Sequence, residues 1–283
     1  MSTDQQQGWS FLRSRRWLGY FALFLVFSIV CVWLGNWQFE RRAEARAEIA
    51  RIDANYDAAP LPLSDVISAP QAFDEDAHKW QPVELQGKYI GETYLARNRP
   101  GPQGVGSNLI NAFETSEGAT FFVDRGWVAV AGADEVPADL PNPPKGDVTV
   151  TVRMRASEPT IQGRSSVGNS VASIDLPELA RLSGTADVAV TGAYGQLVTE
   201  TPATETGVLA ARPERDEGPH LSYALQWYVF ILIAGIGVAY AARQEYRGLN
   251  AGGESVKRED ARRAERKLRR GPSDAEEEDA LLG

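Results

Sequence analysis

One of the two histidines in the sequence, His220, stands just before a long apolar run, in the segment GPHLSYALQWYVF at 218–230. Pro219 suits the first turn of a helix, which predicts that a helix begins at His220. In that helix His220, Tyr223 and Trp227 fall at positions i, i+3 and i+7, so an imidazole, a phenol and an indole share one face. A neutral imidazole in such a place is able to bind a metal or to serve as an axial ligand of haem iron.

Other kinds of chemistry have little support in the sequence. Ser222 is two residues from His220, so the two side chains point in different directions on a helix, and no G-x-S-x-G nucleophile motif occurs. One cysteine and two distant histidines give no zinc-ligand spacing. The glycines of GPQGVG at 101–106 lack the lysine and hydroxyl residue of a phosphate-binding loop. A net charge of -9 disfavours nucleic acid as a partner.

Two uncharged apolar runs lie near the ends of the chain. They extend over residues 17–34 and 223–242, which is 18 and 20 residues. At about 1.5 Å per helical residue, each run suits a hydrocarbon core of roughly 30 Å, so both are predicted to be transmembrane helices. Cleavage of the first run as a signal peptide is disfavoured, because the run is too long for a signal core and the Ala-x-Ala triplet at 45–47 lies well beyond it.

Basic residues at the flanks of these runs predict the topology. Arg13, Arg15 and Arg16 precede the first run, and ten lysines and arginines follow the second. The positive-inside rule then predicts a multi-pass protein of the cell membrane, with both termini cytoplasmic and a large extracytoplasmic domain. The predicted segments are a cytoplasmic N-terminal segment at 1–16, a transmembrane helix at 17–37, the extracytoplasmic domain at 38–219, a second transmembrane helix at 220–242 and a charged cytoplasmic tail at 243–283.

The charged tail is predicted to be disordered or partly helical in water, because it has few large apolar residues. Its basic run, RRAERKLRR at 262–270, has an alternative interpretation as a contact with anionic lipid headgroups. Membrane lipid is therefore among the predicted partners.

The extracytoplasmic domain is predicted to be mainly β, because apolar and polar residues alternate in several segments, as they do in half-buried strands. Helical patterns are few. RRAEARAEIARI extends the first helix to about Ile52, and Asp175 with Glu178 forms a capping box for one short helix. The fold class is thus α+β, with two antiparallel transmembrane helices flanking a mainly antiparallel-β domain that contains one or two short helices. Strands are predicted at VELQGKY (83–89), TYLARN (93–98), SNLINAF (107–113), TFFVDRGWVAV (120–130), DVTVTVRM (147–154) and VAVTGAYGQLV (188–198).

The antiparallel arrangement of the two membrane helices brings a second set of side chains to the level of His220. The outer end of the first helix, WLGNWQFERR at 33–42, is predicted to lie at the same depth. Four of its side chains are then able to approach the imidazole: Trp33, Trp37, Gln38 and Arg41. Two interpretations of this cluster are open. One is an aromatic belt of the kind found at membrane surfaces, and the other is a haem site with aromatic walls and arginines for the propionates.

Five short segments together resemble the SURF1 family of cytochrome c oxidase assembly factors. They are GNWQFERR at 35–42, VELQGKY at 83–89, YLARNR at 94–99, VDRGWV at 123–128 and GPHLSYALQW at 218–227. The last segment is the most specific. The similarity extends over residues 17–247 and is weakest at 134–212.

The resemblance implies a non-enzymatic assembly factor that assists haem a insertion into subunit I of cytochrome c oxidase, or stabilises that subunit. It implies transient binding of haem a, with His220 as ligand of the haem iron. The implied partners are subunit I, other oxidase or respiratory supercomplex subunits and the machinery of haem a synthesis. The alternative is a scaffold or accessory subunit of the oxidase that does not bind haem. The other positions that match family motifs, and are candidate cofactor-binding residues, are Trp37, Gln38, Arg125, Tyr223, Gln226 and Trp227; Gly126 and Trp127 match as well.

Overall fold

The structure, a computed structural model, describes residues 8–130 and 139–270. The chain divides into two compact units: a helical unit, Met1–Ala43 with Gly218–Gly283, and a β unit, Glu44–Glu217. The helices are α1 (Arg15–Asn55), α2 (Leu63–Val66), α3 (Glu75–His78), α4 (Leu176–Leu182), α5 (His220–Leu249) and α6 (Glu254–Arg270). The strands are β1 (Leu61–Pro62), β2 (Pro82–Gly101), β3 (Gly104–Thr115), β4 (Thr120–Ala129), β5 (Val148–Ala156), β6 (Ser170–Val171) and β7 (Ala193–Thr201). A 3₁₀ turn at Ser10–Arg13 precedes α1.

Among the helices that the structure describes, α1 and α5 are the two that are long and apolar enough to cross a membrane. They contain the two predicted spans. α1 continues to Asn55, three residues beyond the predicted Ile52. α5 begins at His220, as the preceding proline indicated. Large apolar side chains on both helices, including Leu23 and Leu232, are exposed, as they would be in contact with lipid.

α1 and α5 are antiparallel neighbours. At one end the Trp17 indole N–H donates to Glu245 at 3.0 Å, and at the other end Gln38 meets His220. Between these ends, small residues let the backbones approach each other. A Cβ atom at Gly35 would lie 3.0 Å from the ring of Tyr228, so this position has little room for a larger side chain.

The sheet of the β unit closes on itself. β2, β3, β4, β7 and β5 pair in that order, and β5 pairs again with β2. The pairs β2–β3, β3–β4, β5–β7 and β2–β5 are antiparallel, while β1–β2, β2–β6 and β4–β7 are parallel. The predicted α+β class with a β-rich domain is confirmed. The parallel pairs differ from the predicted, mainly antiparallel sheet. Alternation of apolar and polar residues identifies a strand, but it does not show which strand pairs with it or in which direction.

Two large apolar clusters hold the sheet of the β unit together, and a small third cluster joins Ile52, Tyr56 and Trp80. The first takes side chains from all five strands of the closed sheet, with Val83, Phe113, Val123, Val150 and Leu197 as one example from each. The second lies under α4 and joins that helix to β2, β3 and β4; it includes Tyr94, Ile110, Phe122, Leu176 and Leu179. β4 contributes to both clusters, because its side chains are buried on both faces.

β2 is one strand of 20 residues that unites two segments predicted separately. A register shift between Ile90 and Thr93 separates its two halves. The first half pairs with both β3 and β5, and the second half pairs with β3 and β6. The break in the apolar pattern at this shift is what suggested two strands.

The β unit contains three short helices in its described residues, against the one or two predicted. One half of the predicted capping box of α4 is confirmed, since the Asp175 carboxylate accepts from the Glu178 N–H at 3.2 Å, whereas the Glu178 carboxylate accepts from the Ser166 hydroxyl at 2.8 Å. α3 is capped in the same way by Asp74, which accepts from the Ala77 N–H at 3.1 Å. A single-turn helix is too short to show an apolar period, so its existence is hard to predict.

The charged tail at 243–283, predicted to be disordered or partly helical, is largely helical in its described residues. α5 continues to Leu249 and α6 covers Glu254–Arg270, while residues 271–283 lie outside the described part of the chain. Ion pairs four residues apart support α6, with Arg258 to Glu254 at 3.1 Å and Arg269 to Glu265 at 2.9 Å. Helix-forming residues explain why a segment without a large apolar face is still helical.

Candidate functional site

The structure brings His220, the first residue of α5, directly against Gln38 on α1. The imidazole Nδ1 and the Gln38 Oε1 are 2.9 Å apart. An amide oxygen only accepts hydrogen bonds, so Nδ1 must carry the proton in this pair. The lone pair of the neutral ring then lies on Nε2, the nitrogen through which histidine is able to bind a metal. The imidazole is partly exposed.

Gly218 lies close to the Nε2 edge of the imidazole. A Cβ atom at Gly218 would lie 3.3 Å from both Nε2 and Cδ2 of His220, and Gly218 has a φ of +67°, which favours glycine. A side chain at this position would therefore crowd the nitrogen that Gln38 leaves available.

The other predicted residues of the helical unit lie near these two but make different contacts. The Trp37 ring is 5.7 Å from the Arg41 guanidinium, and the Trp227 ring packs edge-on against Phe230 at 5.7 Å. Tyr223 is 49% exposed and Gln226 is exposed. Of the predicted set, Gln38 is the residue with a hydrogen bond to the imidazole in the described part of the chain.

The number of available protein ligands bears on which metal-containing group this site could hold. Among the described residues, no group of three or more histidine, cysteine, aspartate or glutamate side chains is placed to hold a metal ion. A haem iron takes its axial ligation from one or two protein side chains. A single imidazole oriented by a hydrogen bond, beside exposed aromatic and apolar side chains, is sufficient for that role.

Arg125 is the predicted cofactor-binding residue that lies in the β unit. It is fully buried on β4, and its hydrogen-bond partners also belong to the β unit. Its Nε and Nη2 donate to the two Glu200 carboxylate oxygens at 3.2 and 2.8 Å, and Nη2 also donates to the Thr204 hydroxyl at 2.8 Å. The backbone carbonyls of Pro141 and Glu205 accept from Nη1 and Nη2 at 3.2 and 3.0 Å. All three guanidinium nitrogens are engaged inside the β unit, so Arg125 has a structural role there.

Glu200 is the counter-ion that sequence reasoning missed. Burial by itself raises the pKa of this carboxyl, but hydrogen bonds from Arg125, Thr204 and Tyr89 outweigh burial and lower its pKa below the usual value. Tyr89 donates from its hydroxyl to Glu200 at 3.1 Å, and burial raises the pKa of Tyr89. No local pattern marks Glu200, which is 75 residues from Arg125.

Gly126 and Trp127 fasten the segment 202–208, here called the strap, to β4. The Trp127 N–H donates to the Val208 carbonyl at 2.9 Å, and the Val208 N–H donates back at 2.8 Å. Gly126 has a φ of +105°, and a Cβ atom there would lie 2.7 Å from the Gly207 carbonyl carbon. The motif VDRGWV therefore has a structural role. Gly126 and Trp127 contact the strap, and Arg125 binds both the strap and Glu200 of β7.

Comparison with known proteins identifies the family of this chain. Residues 25–232 match the model of the SURF1 family. The chain belongs to the SURF1 family. Among its relatives are uncharacterised SURF1-like proteins from Mycobacterium bovis and Mycobacterium tuberculosis, each 32% identical over 244 residues, which is 84% of this chain and 88% of the relative.

The SURF1 match includes both partners of the Gln38–His220 hydrogen bond, as well as Arg125. Membership of the SURF1 family suggests a role in the assembly of cytochrome oxidase, and together with α1 and α5 it fits a membrane protein. SURF1 is a family of assembly factors rather than enzymes.

Proposed function

We propose that this SURF1-family protein assists the assembly of cytochrome c oxidase by binding haem a transiently and presenting it to subunit I. The observation that carries the proposal is the hydrogen bond between His220 and Gln38, which fixes the protonated nitrogen of the imidazole and leaves Nε2 as the ligand. Haem a supplies the iron that the imidazole ligates.

The surroundings of His220 suit a flat, largely apolar cargo. Trp227 and Tyr223 follow on the same face of α5, and apolar side chains of both helices are exposed beside them. A site at the membrane surface keeps the apolar part of such a cargo away from water. One ligand also gives a moderate affinity, which a carrier needs in order to release its cargo.

The orientation in the membrane follows from charge. We infer that the termini are cytoplasmic and that the β unit is extracytoplasmic, because basic residues precede α1 and follow the apolar run of α5. His220 and Gln38 then lie at the extracytoplasmic surface. Further partners in this proposal are other oxidase subunits and the enzymes that make haem a.

The test is to purify the full chain in detergent from cells that make haem a, and to measure bound haem a by its absorption spectrum. We expect His220→Ala to lose most of the bound haem. His78→Ala is the matched control, because His78 is the other histidine of the sequence and lies on α3. Gln38→Glu keeps an acceptor for Nδ1 and should retain haem, while Gln38→Leu removes the acceptor and should lower occupancy roughly 10-fold or more.

Two results would contradict the haem role. If His220→Ala binds as much haem a as the wild type, the imidazole is not the ligand. If the wild-type chain is colourless although haem a is abundant, and deletion of the protein still impairs oxidase assembly, then the chain is a scaffold or accessory subunit that does not bind haem.

A further inference from the structure

A basic cleft of about 710 Å³ lies within the helical unit, between the polar end of α5 and α6. Two features of its lining are unusual together. Guanidinium groups dominate it, and Tyr240, which belongs to the apolar run of α5, is also part of the lining. The arginines that line it are Arg243, Arg247, Arg258, Arg262, Arg263 and Arg266.

Part of the positive charge in the cleft is already paired. Arg243 pairs with Glu259 and Arg247 pairs with Asp260, which ties α5 to α6. Arg258 pairs with Glu254 on its own helix. These pairs position the two helices around the cleft.

The remaining charge is in excess. Arg262, Arg263 and Arg266 have no ion pair with any other residue that the structure describes. Like charges held this close raise the free energy of the folded chain, and an anion in the cleft offsets that cost. The planar guanidinium fork matches the oxygens of a phosphate group better than a lysine does.

The face of α5 that leads into the cleft changes from apolar to cationic at one level. Ile233, Ile236 and Tyr240 are 59%, 60% and 63% exposed, and they are spaced at i, i+3 and i+7. Arg243 and Arg247 continue the same stripe at i+10 and i+14. A ligand on this stripe therefore meets hydrocarbon-like surface first and guanidinium groups at its end. A phosphate with hydrocarbon chains attached has that shape, whereas a soluble anion would leave the apolar part of the stripe unused.

We propose that the cleft between α5 and α6 is a binding site for the headgroup of an anionic phospholipid. The phosphodiester lies between Arg262 and Arg266 on α6, and the acyl chains lie along Ile233, Ile236 and Tyr240 of α5. The site holds α6 against the membrane surface. It does not depend on haem binding at His220, which is at the opposite end of α5.

The experiment is a lipid titration of the full chain in detergent, followed by native mass spectrometry at constant ionic strength. The probes are dioleoylphosphatidylglycerol, dioleoylphosphatidylcholine and inorganic phosphate. We expect the wild-type chain to prefer phosphatidylglycerol, and the double variant Arg262→Gln/Arg266→Gln to lose roughly 30-fold in affinity for it, because each basic residue near an anionic headgroup contributes about fivefold.

A matched control separates the cleft from the general charge of the tail. Lys257→Gln/Arg269→Gln removes the same two positive charges from the same helix, at positions outside the cleft. We expect this variant to bind phosphatidylglycerol within about twofold of the wild type. The side chains of all four residues are exposed, and circular dichroism of each variant checks that its helical content is unchanged.

Three results would overturn the site. Equal losses in both double variants would assign lipid binding to diffuse tail charge. Equal affinity of the wild type for the two lipids would remove the anionic preference. Displacement of phosphatidylglycerol by inorganic phosphate at equal concentration would identify the ligand as a soluble anion.

Discussion

Asp124 is a carboxylic acid whose surroundings oppose its ionisation. It is buried on β4, where burial raises its pKa to about 6, although hydrogen bonds from the Gly126 N–H at 3.0 Å and the Asn108 amide at 2.7 Å act in the opposite direction. Because the folded-state pKa lies above the unfolded value, the folded chain binds this proton more tightly than the unfolded chain. Stability is therefore lost as the pH rises through the pKa of the folded state.

We expect Asp124→Asn to become more stable relative to the wild type as the pH rises from about 4 to about 7.5, by up to about 3 kcal/mol, since the asparagine mimics the protonated acid. Thermal unfolding of the full chain in detergent, followed at both pH values, measures the difference. A gap between variant and wild type that stays constant with pH would contradict the assigned titration, whatever its size.

Residue positions differed in how well the sequence predicted them. The approach of Gln38 to His220 followed from helix spacing and antiparallel geometry alone, because both residues lie on long regular helices. The environment of Arg125 did not follow, since its partner Glu200 comes from a strand that local patterns do not place beside β4. The sequence pattern of a strand does not show whether an arginine in it is exposed or is buried beside a counter-ion.

At the level of elements, the strap packs directly against β4, and the distance between them depends on Gly126. The Gly207 N–H donates to the Arg125 carbonyl at 3.1 Å, and the pair of hydrogen bonds between Trp127 and Val208 continues the contact. The strap crosses β4 at a point where a side chain on Gly126 would overlap its backbone. A glycine is required there for close approach as well as for its positive φ.

Gly126→Ala should therefore destabilise the chain by about 3 kcal/mol or more, through backbone strain together with displacement of the strap. Gly118→Ala is the control that isolates strain, because Gly118 has a φ of +86° and open space around its Cβ position. We expect this control to cost only about 1–2 kcal/mol. Thermal unfolding in detergent compares the two. Equal losses would mean that strain explains the whole effect and that the strap tolerates the methyl group.

The elements themselves were predictable where a pattern was long enough. The strands of the closed sheet and the capped helix α4 each showed a period or a cap in the sequence. The closure of β5 onto β2, and the parallel contact between β4 and β7, depend on which strands meet in space. Those pairings arise from packing of the two apolar clusters rather than from any one segment.

For the whole molecule, the antiparallel pair of α1 and α5 constrains the topology. Trp17 and Arg16 meet Glu245 at one end of the pair, while Gln38 meets His220 at the other. The beginning of α1 and the end of α5 therefore lie on the same side of a membrane that both helices cross. We expect charge to select the side, because Arg13, Arg15 and Arg16 and the basic tail favour the cytoplasm.

Cysteine labelling tests this topology with two positions chosen from the structure. The native Cys31 is buried on α1 and is first replaced by serine. Ser116→Cys then places a thiol on the exposed turn after β3, and Gly252→Cys places one on the exposed turn between α5 and α6. In spheroplasts, a maleimide that does not cross membranes should label the cysteine at 116 and leave the cysteine at 252 unlabelled until the membrane is permeabilised.

The reverse pattern would place the basic cleft outside the cell, and it would show that the flanking arginines do not set the orientation. Labelling of both positions in intact spheroplasts would contradict a membrane crossing by α5, which is the one candidate span between residues 116 and 252.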